Sequence, residues 1–139
     1  MHKLNLTNFK RTVELLERMI QEDTNDERNQ LAIIQAFEFC YGQYLDNIIR
    51  YMKIEYSNKY VDGMMTKDII NFLYKKQITN YDGKKWFHEL RDARNKTSHE
   101  YQEEEWKKFY KIAQDFTKEA RYTYEKLKLN LENEENTNN

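Results

Sequence analysis

Apolar residues along this chain recur every three or four positions with little strict alternation, a period that belongs to helices rather than strands. Phe9, Val13, Leu16 and Ile20 mark one face of a first helix, with Thr7 as its expected N-cap. Asp23 to Asn29 is polar and reads as a turn. A long second helix follows, with a wide stripe of Leu31, Ile34, Phe37, Cys40, Tyr41, Tyr44, Leu45, Ile48, Ile49 and Met52. Gly42 falls inside it, at a cost of ~1 kcal/mol against alanine, and a close helix crossing at that point would explain its presence.

Tyr56 to Gly63 reads as a connection, and Thr66-Lys67-Asp68-Ile69-Ile70 opens a short third helix that Phe72 and Leu73 continue. Asn80-Tyr81-Asp82-Gly83 has turn chemistry, with an Asp-Gly pair suited to positive φ. A fourth helix starts near Lys84, its inward stripe being Trp86, Leu90, Ala93 and Thr97, with Arg94 and Tyr101 beside it. From Glu103 a long final helix carries Trp106, Phe109, Ala113, Phe116, Ala120 and Leu127 in a heptad-like seam. Packing of that seam against its own chain is favoured over a coiled-coil dimer. Glu103-Glu104-Glu105 is the macrodipole-favourable start of this helix. After Leu131 the sequence is too polar to bury anything, so a domain over residues 1–131 and a frayed, disordered polar tail over 132–139 are expected.

Composition strengthens the helical reading, because a chain of 139 residues with no proline and three glycines has few obligatory breaks. The length suits one domain that buries roughly two-thirds of its unfolded surface. The fold class expected is all-α. Net charge is −1 with a pI near 6.3, so any contact with nucleic acid has to be local. Cys40 cannot form an intramolecular disulfide and reads as a buried thiol. No apolar stretch reaches bilayer length and Met1-His2-Lys3-Leu4-Asn5 lacks a signal-peptide core, so a cytoplasmic protein is expected. There is no glycine-rich phosphate loop, no cysteine pair and no helical pair of histidines, so neither a metal nor another cofactor is called for.

The chemistry concentrates in Arg94-Asn95-Lys96-Thr97-Ser98-His99-Glu100-Tyr101. An arginine, a histidine and a tyrosine supply a phosphate-binding cation, a proton carrier near neutral pH and a phenol. RNA brings its own nucleophile, the 2′-hydroxyl, so proton transfer and charge stabilisation suffice to cleave it. Lys84, Lys85, Arg91 and Lys96 could steer the RNA, and Glu89 and Asp92 dilute that field. On one straight helix, Arg94 and His99 diverge by roughly 140°, whereas Arg94 and Tyr101 nearly superpose in direction. Either the helix is interrupted near Thr97-Ser98-His99, or a second copy of the chain completes the site across a two-fold axis. The plainer alternative has Arg94 paired with a carboxylate, His99 near a helix end, Tyr101 half-buried and His88 a surface residue.

The run from Trp86 to Tyr101 resembles the signature segment of the HEPN superfamily, and within it the HepT-like group, also called nucleotidyltransferase substrate-binding proteins. Gln35-Ala36-Phe37-Glu38-Phe39-Cys40-Tyr41 is similar to that family's second helix, and Asp68-Ile69-Ile70-Asn71-Phe72-Leu73 with Ile78 and Trp86 to its middle region. The likeness extends over roughly Asn5 to Leu129. It implies an antiparallel bundle of four to five helices that forms a homodimer beside a minimal nucleotidyltransferase. Arg94 and His99 would then be the catalytic pair of a metal-independent endoribonuclease at the dimer cleft, with Asn95 supporting and Arg91 and Lys96 contacting RNA. Tyr101 would receive AMP from the partner transferase, the antitoxin, which silences the nuclease. A non-catalytic subunit that binds a nucleotide or other acceptor for the transferase is the alternative, and a plain helical interaction module a third.

Overall fold

A computed structural model describes residues 4–97 and 103–138, and all regular structure among them is helical. Helix α1 spans Thr7–Met19, α2 Glu27–Glu55, α3 Asn58–Asp62, α4 Thr66–Lys75, α5 Gly83–Lys85, α6 Arg91–Asn95 and α7 Glu103–Asn138. A π-helical turn over Trp86–Leu90 joins α5 to α6 without a break.

The ends of these helices depend on short polar side chains that satisfy orphan backbone groups. Asp26 caps α2 by accepting from the amides of Arg28 at 2.7 Å and Asn29 at 3.3 Å. Ser57 accepts from the Tyr60 amide at 3.1 Å and so starts α3, a short helix inside the segment read as a connection. The expected cap at Thr7 is corrected: Thr7 is already helical, and Asn5 Oδ1 accepts its amide at 2.9 Å. Positive φ at the Asp-Gly pair is corrected too. No described glycine has positive φ, and Gly83 is needed because a Cβ there would collide with the Lys67 carbonyl oxygen and sit 2.9 Å from Asn71 Oδ1. Asn71 Oδ1 meanwhile accepts from the Gly83 amide at 2.7 Å, which ties the fourth stretch to α4.

Contacts far apart in sequence give the helix directions. Phe37 meets Phe109, Tyr44 meets Phe116, and Tyr51 accepts from Asn130, so α2 and α7 advance together. Ile20 meets Tyr110, Glu17 meets Arg121, and Phe9 meets Tyr124, so α1 runs against α7. The core between them is aromatic and edge-on, with Phe37 5.0 Å from Phe109 and 5.5 Å from Phe116 between ring centres. Edge-to-face pairs of this kind add about 0.5–1.5 kcal/mol each beyond simple burial.

The seam of α7 is buried as expected: Trp106, Phe109, Ala113, Phe116, Ala120 and Leu127 all lie in the core of their own chain. The helix continues to Asn138, past Leu131 where its apolar pattern stops. Hydrogen bonding between the carboxyls of Glu55 and Glu134 lifts Glu55 to about 7, which brings this polar extension beside the end of α2. The wide stripe of α2 is only partly covered. Phe37, Cys40, Tyr44 and Ile48 are buried, Ile34, Leu45 and Ile49 are half-buried, and Leu31 is 63 % exposed. No described helix is long and apolar enough to cross a membrane.

Candidate functional site

Arg94 sits in the last turn of α6, and the way that helix is built and ended determines its surroundings. Trp86, Leu90, Ala93 and Thr97 face inward as the spacing predicts. The π turn, in which the Arg91 amide donates back to the Trp86 carbonyl, adds a residue to one turn and rotates α6 relative to α5. Nothing in the sequence marks it. The helix ends at Asn95, and Lys96 and Thr97 form a turn whose amides donate to the carbonyls of Asp92, Ala93 and Arg94. The interruption near Thr97 is therefore the geometry adopted. His99 and Tyr101 lie outside the described residues.

Thr97 both ends the helix and holds the arginine. Its hydroxyl donates to the Arg94 carbonyl at 2.8 Å and accepts from Arg94 Nη1 at 3.1 Å. Arg94 Nη2 lies 4.0 Å from Glu38 Oε2, a long ion pair, and the Arg94 side chain is 41 % exposed. A guanidinium has five N–H donors, so these two partners among the described residues leave capacity for a planar oxyanion such as phosphate. Arg91 is half-buried, its guanidinium stacked 4.1 Å above the Phe87 ring and its Nε without a hydrogen bond.

Across from both arginines stands Tyr41 of α2, a residue that spacing within the signature segment does not reveal because it comes from another helix. Burial raises the Tyr41 phenol above its ordinary value, while its nearness to the Trp86 indole and the charges on Arg91 and Arg94 work the other way. Glu38, one turn earlier on α2, meets Arg94. Two arginines, a phenol and a carboxylate thus converge from two helices on the edge of the turn that leads toward His99.

Asn95 and Lys96 are exposed at the end of α6, and Lys96 Nζ is held 3.0 Å from Asp92. Lys85 pairs with Glu89 at 3.4 Å and lies over the Tyr81 ring, so the acidic neighbours do neutralise part of the basic surface. His88 is exposed against the edge of Phe87. Among the described residues no three His, Cys, Asp or Glu side chains cluster closely enough to hold a metal ion. Cys40 is fully buried, and desolvation pushes its thiol up to about 12, so it is a packing residue and not a nucleophile.

Fold and site together define a protein that is helical throughout its described regular structure, with two arginines, a phenol and a carboxylate gathered at the end of a π-distorted helix. The model of the family described as "Nucleotidyltransferase substrate binding protein like" matches residues 4–129, and the chain belongs to that family, the HepT-like group related to the HEPN proteins. No curated protein matches it.

Proposed function

We propose that this chain is a HepT-like toxin, a metal-independent endoribonuclease that works as a homodimer of antiparallel helical bundles and is neutralised by a partner nucleotidyltransferase. The observation that carries the reading is the Arg94 guanidinium. It is held by Thr97, half-exposed, near the Tyr41 that Arg91 also faces, and set in the last turn of α6. In this reading Arg94 takes the non-bridging oxygens of the scissile phosphate. His99 removes the 2′-hydroxyl proton as that oxygen attacks phosphorus, and the P–O bond to the 5′-oxygen breaks, that oxygen taking a proton from water. The product is a 2′,3′-cyclic phosphate. Asn95, Arg91 and Lys96 assist in holding the strand.

Purified protein incubated with RNA in excess EDTA tests this. Cleavage to cyclic-phosphate ends is expected to survive chelation and to drop at least ~100-fold in Arg94→Ala and in His99→Ala, both remaining folded. Loss of cleavage on chelation from folded protein, or parent-like rates in His99→Ala, would overturn the mechanism. The family's description favours a second reading, in which the chain binds a substrate for the transferase without cleaving anything. The same arginine pair suits a nucleotide phosphate, and binding without cleavage in this assay would select it.

A further inference from the structure

Hydrogen-bond donors outnumber acceptors where α2 meets the π turn. The Trp86 indole N–H is buried and makes no hydrogen bond among the described residues, and the same holds for Arg91 Nε. Buried donors without acceptors are rare, because the hydrogen bond lost to water goes unreplaced, so two in one place call for a cause. The π turn brings them together. On a straight α-helix, five residues would set Trp86 and Arg91 roughly 140° apart. Closing the turn with the Arg91 amide on the Trp86 carbonyl draws the two toward one side, and both side chains come near Tyr41.

Tyr41 is anchored by its ring, which packs on Phe37 and Phe116 at 6.2 and 6.4 Å between centres, so its hydroxyl end is left to face Trp86, Arg91 and Arg94. Burial raises this phenol above its ordinary value, so near neutral pH it keeps its proton and remains a donor. Stacking on Phe87 at 4.1 Å fixes the plane of the Arg91 guanidinium. Glu38 is the carboxylate that α2 brings here, and it stays 4.0 Å from Arg94 Nη2, beyond hydrogen-bond length. Asp92 and Glu89 are taken up by Lys96 at 3.0 Å and Lys85 at 3.4 Å. Two guanidiniums, a phenol and an indole therefore face a carboxylate held at a distance, with donors and positive charge both in excess.

We propose that this is a phosphoryl-binding site in which the Tyr41 hydroxyl and the guanidiniums of Arg91 and Arg94 hold one oxyanion. The Tyr41 O–H donates to a phosphate oxygen. Its own oxygen then accepts from the Trp86 indole N–H, which is buried and does not touch the ligand, and each bond polarises the next. An acceptor from outside thus completes a run of donors that the protein leaves open. The site deepens the proposed function by adding a donor from α2 to the phosphate at Arg94, and it rests on that reading for the RNA backbone as the source of phosphate. The phosphate of a nucleotide has the same chemistry.

Titration of the full chain, followed through the indole N–H signals in proton–nitrogen NMR, tests this. The probes are uridine 5′-monophosphate, a dinucleoside phosphate with 2′-deoxy sugars and, as the phosphate-free control, uridine. Trp106→Phe tells the two indoles apart. The Trp86 signal of the parent is expected to move downfield with the phosphate probes and not with uridine, and the tighter probe identifies a nucleotide or a strand as the source. Tyr41→Phe removes the hydroxyl and keeps the packed ring. It is expected to weaken binding roughly tenfold or more and to abolish the Trp86 shift, whereas Arg91→Lys weakens binding and leaves the shift in place. Parent-like affinity in folded Tyr41→Phe, a Trp86 signal unmoved at saturation, an equal response to uridine, or no binding of either phosphate overturns the site, whatever becomes of RNA cleavage. Tyr41-dependent binding by a protein that cleaves no RNA keeps the site and rejects the nuclease.

Discussion

Glu119 is the buried side chain with the most to reveal about solution behaviour. Its carboxylate is 2 % exposed and accepts from the Tyr44 hydroxyl at 2.7 Å and from the amides of Asn80 and Tyr81 at 2.9 Å, pinning the loop before α5 to α7. Burial raises it from 4.5 to about 7, although Tyr44, the two amides and the charge on Lys85 oppose the shift. The folded chain therefore keeps a proton that the unfolded chain releases. The associated stability is fully present below about pH 4.5 and is lost as pH rises through about 7, a change on the order of 3 kcal/mol. Glu55 titrates over the same range, so the comparison needs proteins that differ at position 119 alone. Urea unfolding across pH 4.5–8 is expected to show Glu119→Gln gaining on the parent as pH rises, and a constant difference between them would reject the assignment. The sequence hides this group, because a glutamate on a charged helix resembles its solvated neighbours until a loop 38 residues away closes over it. Around Arg94 only Thr97 was legible as a neighbour in sequence, because Glu38 and Tyr41 reach it from α2.

Helices were legible wherever their period was long and their stops were chemical. The stripes of α1, α4 and α7 are read correctly from three- and four-residue spacing, whereas the caps at Asp26 and Ser57, and with Ser57 the short helix α3, were not read from the sequence. Less visible were the π turn, which no residue type signals, and the partners of α2, whose excess apolar width marks a face without saying what covers it. The end of α4 was hidden as well, because it uses a glutamine where glycine is usual. Gln77 has φ 61°, with the Ile78 amide donating to the Leu73 carbonyl and the Gln77 amide to that of Tyr74, the paired bonds of a Schellman ending. An L side chain in this region costs about 1 kcal/mol, and the Gln77 side chain is exposed, so it has little packing to lose. Gln77→Gly is expected to raise the denaturant midpoint by about that amount of stability with an unchanged slope. A lowered midpoint would mean that the added freedom of the unfolded chain outweighs the relief of strain.

For the whole molecule, the proposed silencing turns on whether Tyr101 receives AMP, which would add charge and bulk to the segment that carries Arg94. Co-expression with a candidate partner nucleotidyltransferase is expected to add adenylyl mass to the parent and none to Tyr101→Phe, read by intact mass spectrometry. Modification of Tyr101→Phe to the same extent would remove that role. The packing of both α1 and α2 on α7 has a further consequence, in the order of synthesis. Tyr44 waits for Glu119, Ile20 for Tyr110 and Glu17 for Arg121, across separations of 75, 90 and 104 residues. Such long separations are unusual in a helical protein, and each loop must close before its contact repays the entropy lost. On the ribosome Arg94 emerges 12 residues ahead of Trp106 and 22 ahead of Phe116, aromatic side chains of α7 that complete the core. A nascent chain therefore carries the ingredients of the site without its architecture, and whatever this protein does in the cell begins only after its last helix has docked.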